Sequence, residues 1–134
     1  LQQVPITEVF AVDGGTASSR FAGWSDVLGT ESRSLCSKVV GTAVEFEVPA
    51  NTAFLEVWAP SGIDMSFSAN VLIKPSPQGG LGEYLASLYS PWETEPQIMF
   101  FTRLDPTVSY TLQVANRYPA YACVHKVVVY SGVG

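Results

Sequence analysis

Residues 97–130, QIMFFTRLDPTVSYTLQVANRYPAYACVHKVVVY, contain three apolar runs separated by a Leu104-Asp105-Pro106 turn and an Asn116-Arg117-Tyr118-Pro119 turn. The middle run alternates. Val108, Tyr110, Leu112 and Val114 lie on one side, Ser109, Thr111, Gln113 and Ala115 on the other. A period of two in β-branched and aromatic residues is the pattern of a strand covered on one face. The last run, residues 123–130, is nearly continuous in Val and reads as a central strand. Everything upstream has to supply the sheets against which these strands pack.

Working outward, the same alternation recurs. Val44, Phe46 and Val48 point one way and Glu45 and Glu47 the other; after Pro49-Ala50-Asn51-Thr52, Leu55 and Val57 oppose Phe54, Glu56 and Trp58. A return strand follows, with Met65, Phe67, Ala69, Val71 and Ile73 inward. Strands are expected at residues 6–12, 35–40, 43–48, 53–59, 65–73, 97–102, 108–115 and 121–130. Two irregular stretches interrupt them. Residues 16–33 have no lasting period and read as a long loop with room for a small helical turn or an edge strand, and residues 74–96 hold four prolines and Gly79-Gly80-Leu81-Gly82. Within the second, residues 81–89 suit one or two helical turns, with Leu81, Leu85 and Leu88 on one face until Pro91 stops them. The sum is an all-β, antiparallel β-sandwich or jelly roll of about eight strands with two long loops, a closed barrel being the alternative.

The chain has 134 residues, 47% of them hydrophobic and 14% charged. That fits a single domain over residues 1–134 with one substantial core, and is too apolar for disorder. No apolar run reaches membrane-spanning length. Net charge is −5, from 7 basic and 12 acidic residues, so a phosphate-following basic stripe is missing and nucleic acid is a poor partner. Cys36 and Cys123 either form one disulfide across the fold or remain two buried thiols. A start at Leu1 rather than Met fits a processed, secreted chain or simply a trimmed one; scarce lysine puts the secreted reading ahead, and the disulfide with it. Such a bridge closes about 88 residues and restricts the unfolded chain by about 4–5 kcal/mol.

The order of motifs is Asp13-Gly14, Phe21-Ala22-Gly23-Trp24, Gly41-Thr42-Ala43-Val44-Glu45-Phe46 and Glu56-Val57-Trp58. Leu104-Asp105-Pro106 then leads into Tyr110-Thr111-Leu112-Gln113-Val114-Ala115-Asn116, and His125-Lys126-Val127-Val128-Val129-Tyr130 completes the series. This pattern resembles the galactose-binding-like jelly rolls of secreted and cell-surface proteins, fungal ones included, and carbohydrate-binding modules built the same way. It departs from them at His125, where the last strand of the family often begins with Asp, and in the long insertion of residues 75–96. The resemblance implies a glycan ligand. Such modules often hold a structural calcium, for which Glu8, Asp13, Asp26 or Asp64 are the available carboxylates here. No loop has ligand spacing regular enough to name a site, and no cofactor is expected.

A pyranose presents a face of C–H groups that packs on a fixed aromatic ring, while flanking polar groups orient its hydroxyls. Trp24, Trp58 and Trp92 are the candidate platforms, with Tyr89, Tyr118 and Tyr121 as further rings and Glu95, Asn116 and Arg117 as polar partners. Each has a plainer reading: Trp24 as a plug at the end of the core, Trp58 as cover on a sheet face, Trp92 as a lid, the tyrosines as turn cover. If strands alternate in direction, Trp24, Trp92, Tyr84, Tyr89, Asn116 and Tyr118 gather at one end. Connections 13–34, 49–52, 74–96 and 116–120 then share it, and Gly41, 60–64 and 103–107 fall at the other.

Catalysis is poorly supplied. His125 is the lone histidine, no Gly-x-Ser-x-Gly elbow accompanies it, and one His with two separated Cys gives too few zinc ligands. The carboxylate pairs Glu45/Glu47 and Glu93/Glu95 read as a wet sheet face and a polar loop. The sequence predicts a secreted, extracellular or cell-wall protein that binds a neutral oligosaccharide or polysaccharide without catalysis. The alternative is a structural or protein-interaction component whose rings are buried against another chain, as in a homodimer. A glycan-active enzyme is third.

Overall fold

The computed structural model describes residues 6–11, 25–28, 33–77, 82–92 and 94–131. Eleven strands run through them: β1 (Ile6–Ala11), β2 (Ser25–Leu28), β3 (Arg33–Ser37), β4 (Ala43–Val48), β5 (Thr52–Ala59), β6 (Ala69–Lys74), β7 (Glu83–Ala86), β8 (Gln97–Arg103), β9 (Tyr110–Asn116), β10 (Ala122–Val124) and β11 (Lys126–Ser131). Every strand pairing is antiparallel. One four-stranded sheet has the order β1-β11-β5-β8, a second β4-β9-β6-β7, and a three-stranded sheet β10-β3-β2.

Alternation decides which faces meet. On β4, Val44, Phe46 and Val48 are buried; their registered neighbours Val114, Leu112 and Tyr110 on β9 are buried beside them. Leu55 and Val57 of β5 meet the same core from the other sheet, with Val127 and Val129 of β11 and Phe100 of β8. Removing this apolar surface from water is the main force holding the sheets face to face. β1 approaches β4 and β7 approaches β8, so both pairs of sheet edges meet around one core. The architecture is an all-β, antiparallel, sandwich-like packing of sheets.

Four details differ from the sequence reading. Residues 25–28, inside the stretch read as a long loop with room for a helical turn or an edge strand but left out of the eight-strand count, form the edge strand β2 beside β3. Residues 83–86, inside the stretch read as helical turns, form β7 on the edge of β6. Leu85 is exposed and Leu88 buried, so those leucines share no face, and pairing with β6 satisfies backbone groups a free edge would leave open. The strand expected from residue 65 begins at Ala69, and Phe67 points into solvent. The last strand is split at His125. β10 joins β3, while β11 lies centrally between β1 and β5.

Cys36 and Cys123 are bonded, and they stand opposite each other in the β3–β10 register. The bridge therefore staples neighbouring strands of one sheet rather than crossing the sandwich. It is consistent with an oxidising, non-cytoplasmic environment. At the far end, Asn51 adopts φ 67° in the β4–β5 turn, a left-handed conformation Asn tolerates, and its N–H donates to Pro106 O at 3.0 Å. Thr107 donates to Asp105 from its hydroxyl and its backbone N–H, and these bonds hold the Asp105 carboxyl below its usual pKa.

Because the bridge spans 87 residues of sequence, a Cys36→Ser/Cys123→Ser double variant should lose about 2–5 kcal/mol of unfolding free energy in urea titrations. An unchanged midpoint would show that the staple adds nothing to the folded state.

Candidate functional site

The two edge strands left out of the eight-strand count each reverse the chain once, which redistributes the connections between the ends. Gly41 and residues 60–64 lie with Asn116, not opposite it: Gly41 N–H donates to Asn116 O at 2.8 Å and Tyr121 N–H to Asp64 O at 3.0 Å. Residues 49–51 lie at the opposite end, against Pro106. β7 divides residues 74–96, so that among the described residues 87–92 and 94–96 are the part left at the Asn116 end.

Backbone hydrogen bonds lace this end together. Gly62 N–H donates to Leu88 O (3.1 Å), Ser90 N–H to Gly62 O (3.0 Å) and Thr94 N–H to Ser61 O (2.9 Å). Ser66 N–H donates to Tyr121 O (2.7 Å), Leu88 N–H to Ser66 O (2.8 Å) and Arg117 N–H to Ser68 O (2.9 Å). Residues 60–68, 87–92, 94–96 and 117–121 thus form one rim of mutually bonded backbone, a fixed mount for their side chains.

On that mount Phe67 stacks on Tyr89, with centroids 4.6 Å apart and planes at 17°, and meets Tyr118 edge-on at 5.2 Å. All three remain substantially open to solvent, at 51%, 40% and 41%. Trp92 is 70% exposed in the same connection as Tyr89, and its backbone N–H donates to Ser90 Oγ at 3.4 Å. Glu95 is exposed nearby in sequence, and Tyr121 is half-buried with Lys38 Nζ 5.0 Å from its ring centroid.

Beside the rings, the outer face of β6 and β7 forms an open groove of about 590 Å³, lined by Ser68, Asn70, Glu83, Tyr84, Leu85 and Arg117. Asn70 stands between Ala115 and Leu85 in register and is 5% exposed. Its Oδ1 is buried without a hydrogen-bond partner.

Of the residues singled out from sequence, Tyr89, Trp92, Glu95, Arg117, Tyr118 and Tyr121 belong to the rim loops. Asn116 lies beneath them, fully buried. Its Nδ2 donates to Ser37 O (3.1 Å) and Ala120 O (2.8 Å), and its Oδ1 accepts from Tyr118 N–H (3.2 Å). It holds the turn that carries Tyr118 and has no free group for a ligand, which corrects its expected role. Trp58 is elsewhere, on the outer face of β5. Its Nε1 donates to Glu56 at 3.2 Å, and Lys126 Nζ covers its ring at 4.4 Å. Trp24 lies outside the described residues.

That second face also carries Phe54, Phe101 and Tyr130, with Phe54 centroids 5.9 Å from Phe101 and 5.5 Å from Tyr130. Burial, and then the Glu56 carboxylate that shares its hydrogen bond, push the Tyr130 phenol above its ordinary pKa. Among the calcium candidates only the Asp64 side chain is described, and it is exposed. Among the described residues no three His, Cys, Asp or Glu side chains gather as metal donors, and no helix is long and apolar enough to cross a membrane.

The sequence reading missed Phe67, Ser68, Asn70 and Glu83. A signal existed for Asn70: it is the one polar residue in Ala69-Asn70-Val71-Leu72-Ile73. No family model matches the chain, and no curated protein matches it.

Asn116→Ala should cost about 1–3 kcal/mol in urea unfolding, because it orphans the buried Ser37 carbonyl and the part-buried Ala120 carbonyl and Tyr118 N–H, whereas Arg117→Ala at its exposed neighbour should cost little. Equal costs would contradict the clamp.

Proposed function

We propose that the chain is a secreted, non-catalytic carbohydrate-binding protein of lectin or binding-module type that takes a neutral glycan on the rim. The finer fold reading, a galactose-binding-like jelly roll, belongs to the same proposal. The observation that carries it is the group of Phe67, Tyr89 and Tyr118, in which both tyrosine rings pack on Phe67 and all three are left open to solvent on a hydrogen-bonded rim. Rings held this way lose little conformational entropy when a sugar face settles on them, and each tyrosine adds a hydroxyl for the sugar edge. Trp92 extends the apolar surface, and Arg117 and Glu95 stand in the same loops to meet hydroxyl groups. Trp58 contributes less, because its N–H and one ring face are already engaged.

A second reading is a structural or interaction protein, and edge strand β8 favours it. Phe101 and Ile98 are exposed there, at 60% and 44%, and a second copy or another chain could cover them. A glycan array read with the wild type, Trp92→Ala and Tyr89→Ala separates the two. Selective retention of neutral glycans, weakened about 3- to 10-fold by each substitution, is the expected outcome. No selective binding by the wild type, with dimers in sedimentation that Phe101→Ser dissolves, would replace the glycan reading with the interaction one.

A further inference from the structure

We propose that the groove beside the rings is the polar half of the glycan site, in which Asn70, Glu83 and Arg117 bind two adjacent hydroxyls of a neutral pyranose. The inference rests on the glycan reading and adds to it a subsite and a ligand class.

Chain connectivity puts the two halves side by side. Phe67 and Ser68 are consecutive, as are Tyr118 and Arg117; each pair gives one ring to the rim and one polar residue to the groove. The Arg117 N–H to Ser68 O bond of 2.9 Å locks the pairs together. A ligand seated on the rings therefore has the groove within its own length.

Asn70 gives the groove its chemistry. Its side chain is nine-tenths buried, yet no hydrogen bond among the described residues uses its amide, and Ala115 and Leu85 on either side offer no side-chain donor. A buried amide oxygen without a partner costs stability. Asn70 Oδ1 is closed to solvent as it stands, so a ligand hydroxyl removes that cost by donating to it once the side chain turns toward the groove. Rotation about χ2 exchanges Oδ1 and Nδ2, so the amide can offer the groove either its acceptor or its donor. Glu83 adds an acceptor and Arg117 a fork of donors, and neither makes a side-chain hydrogen bond or ion pair among the described residues.

Charge selects among ligands. Glu83 and Arg117 cancel within the groove, and the chain carries −5 overall, so a phosphate or a polyanion is repelled while a neutral polyol is not. About 590 Å³ is within the range of small-ligand sites.

The test uses the methyl glycosides of galactose, glucose and mannose, with glucuronic acid as the charged comparison. Binding is read by saturation-transfer NMR and titration on the wild type, Asn70→Ala, Glu83→Gln and Arg117→Ala, with Tm measured for each. At least one neutral hexoside should bind the wild type and weaken about 3- to 10-fold in every variant. Asn70→Ala should melt at or above the wild-type temperature, since it removes an unsatisfied amide. Hexoside binding that all three variants retain overturns the groove and leaves the rim reading standing. A lower Tm in Asn70→Ala, with Glu83→Gln and Arg117→Ala binding normally, makes Asn70 structural and also overturns it. Preference for glucuronic acid overturns the neutral assignment. If no sugar binds the wild type, the glycan reading falls and the groove assignment with it.

Discussion

The structure depends on two apolar sheet faces that can leave water only against each other. Val44, Phe46, Leu112, Val114, Val71 and Ile73 on one side meet Leu55, Val57, Phe100, Val127 and Val129 on the other. Each strand buries alternate residues, so a register slip of one residue would turn a whole strand's apolar set to solvent. Register in turn fixes where each strand ends, and strand ends fix which connections meet. The rim is a consequence of the core. The β3–β10 pairing, held by the Cys36–Cys123 bridge, closes the same end by tying residues 33–37 to the chain just beyond the rim.

The sandwich class was legible because period-two burial in β4, β5 and β9 leaves its mark directly in the residues. Short edge strands leave no such mark. β7 reads Glu83-Tyr84-Leu85-Ala86 with three exposed side chains, so backbone pairing to β6, rather than an apolar period, makes it a strand. β2 is equally short. Each uncounted strand reverses the chain, so counting strands put Gly41, 49–52 and 60–64 at the wrong ends while 103–107 and 116–120 were assigned correctly.

The candidate site was legible only in part, for the same reason. Tyr89, Trp92, Arg117 and Tyr118 stood out as aromatic or charged residues in turns. Phe67 did not, because it fitted the alternation of a strand that starts two residues later, at Ala69. Asn116 looked like a ligand group and is a buried clamp, since an Asn in a turn satisfies backbone as readily as it meets a sugar. The groove needs β6 and β7 to be paired, and nothing in a one-dimensional reading joins Asn70 to Arg117.

Two aromatic surfaces compete for the functional role, and their polar groups distinguish them. On the β5 face, Glu56 engages Trp58 and Tyr130, and Lys126 covers the indole. At the rim the rings are open and the adjoining amide is unpaired. The most direct measurement is backbone and side-chain NMR shift mapping while the glycan retained on the array is titrated into the wild-type chain. The account predicts the largest changes at Phe67, Asn70, Tyr89, Arg117 and Tyr118. Changes confined to Phe54, Phe101 and Tyr130, with the rim silent, would contradict it.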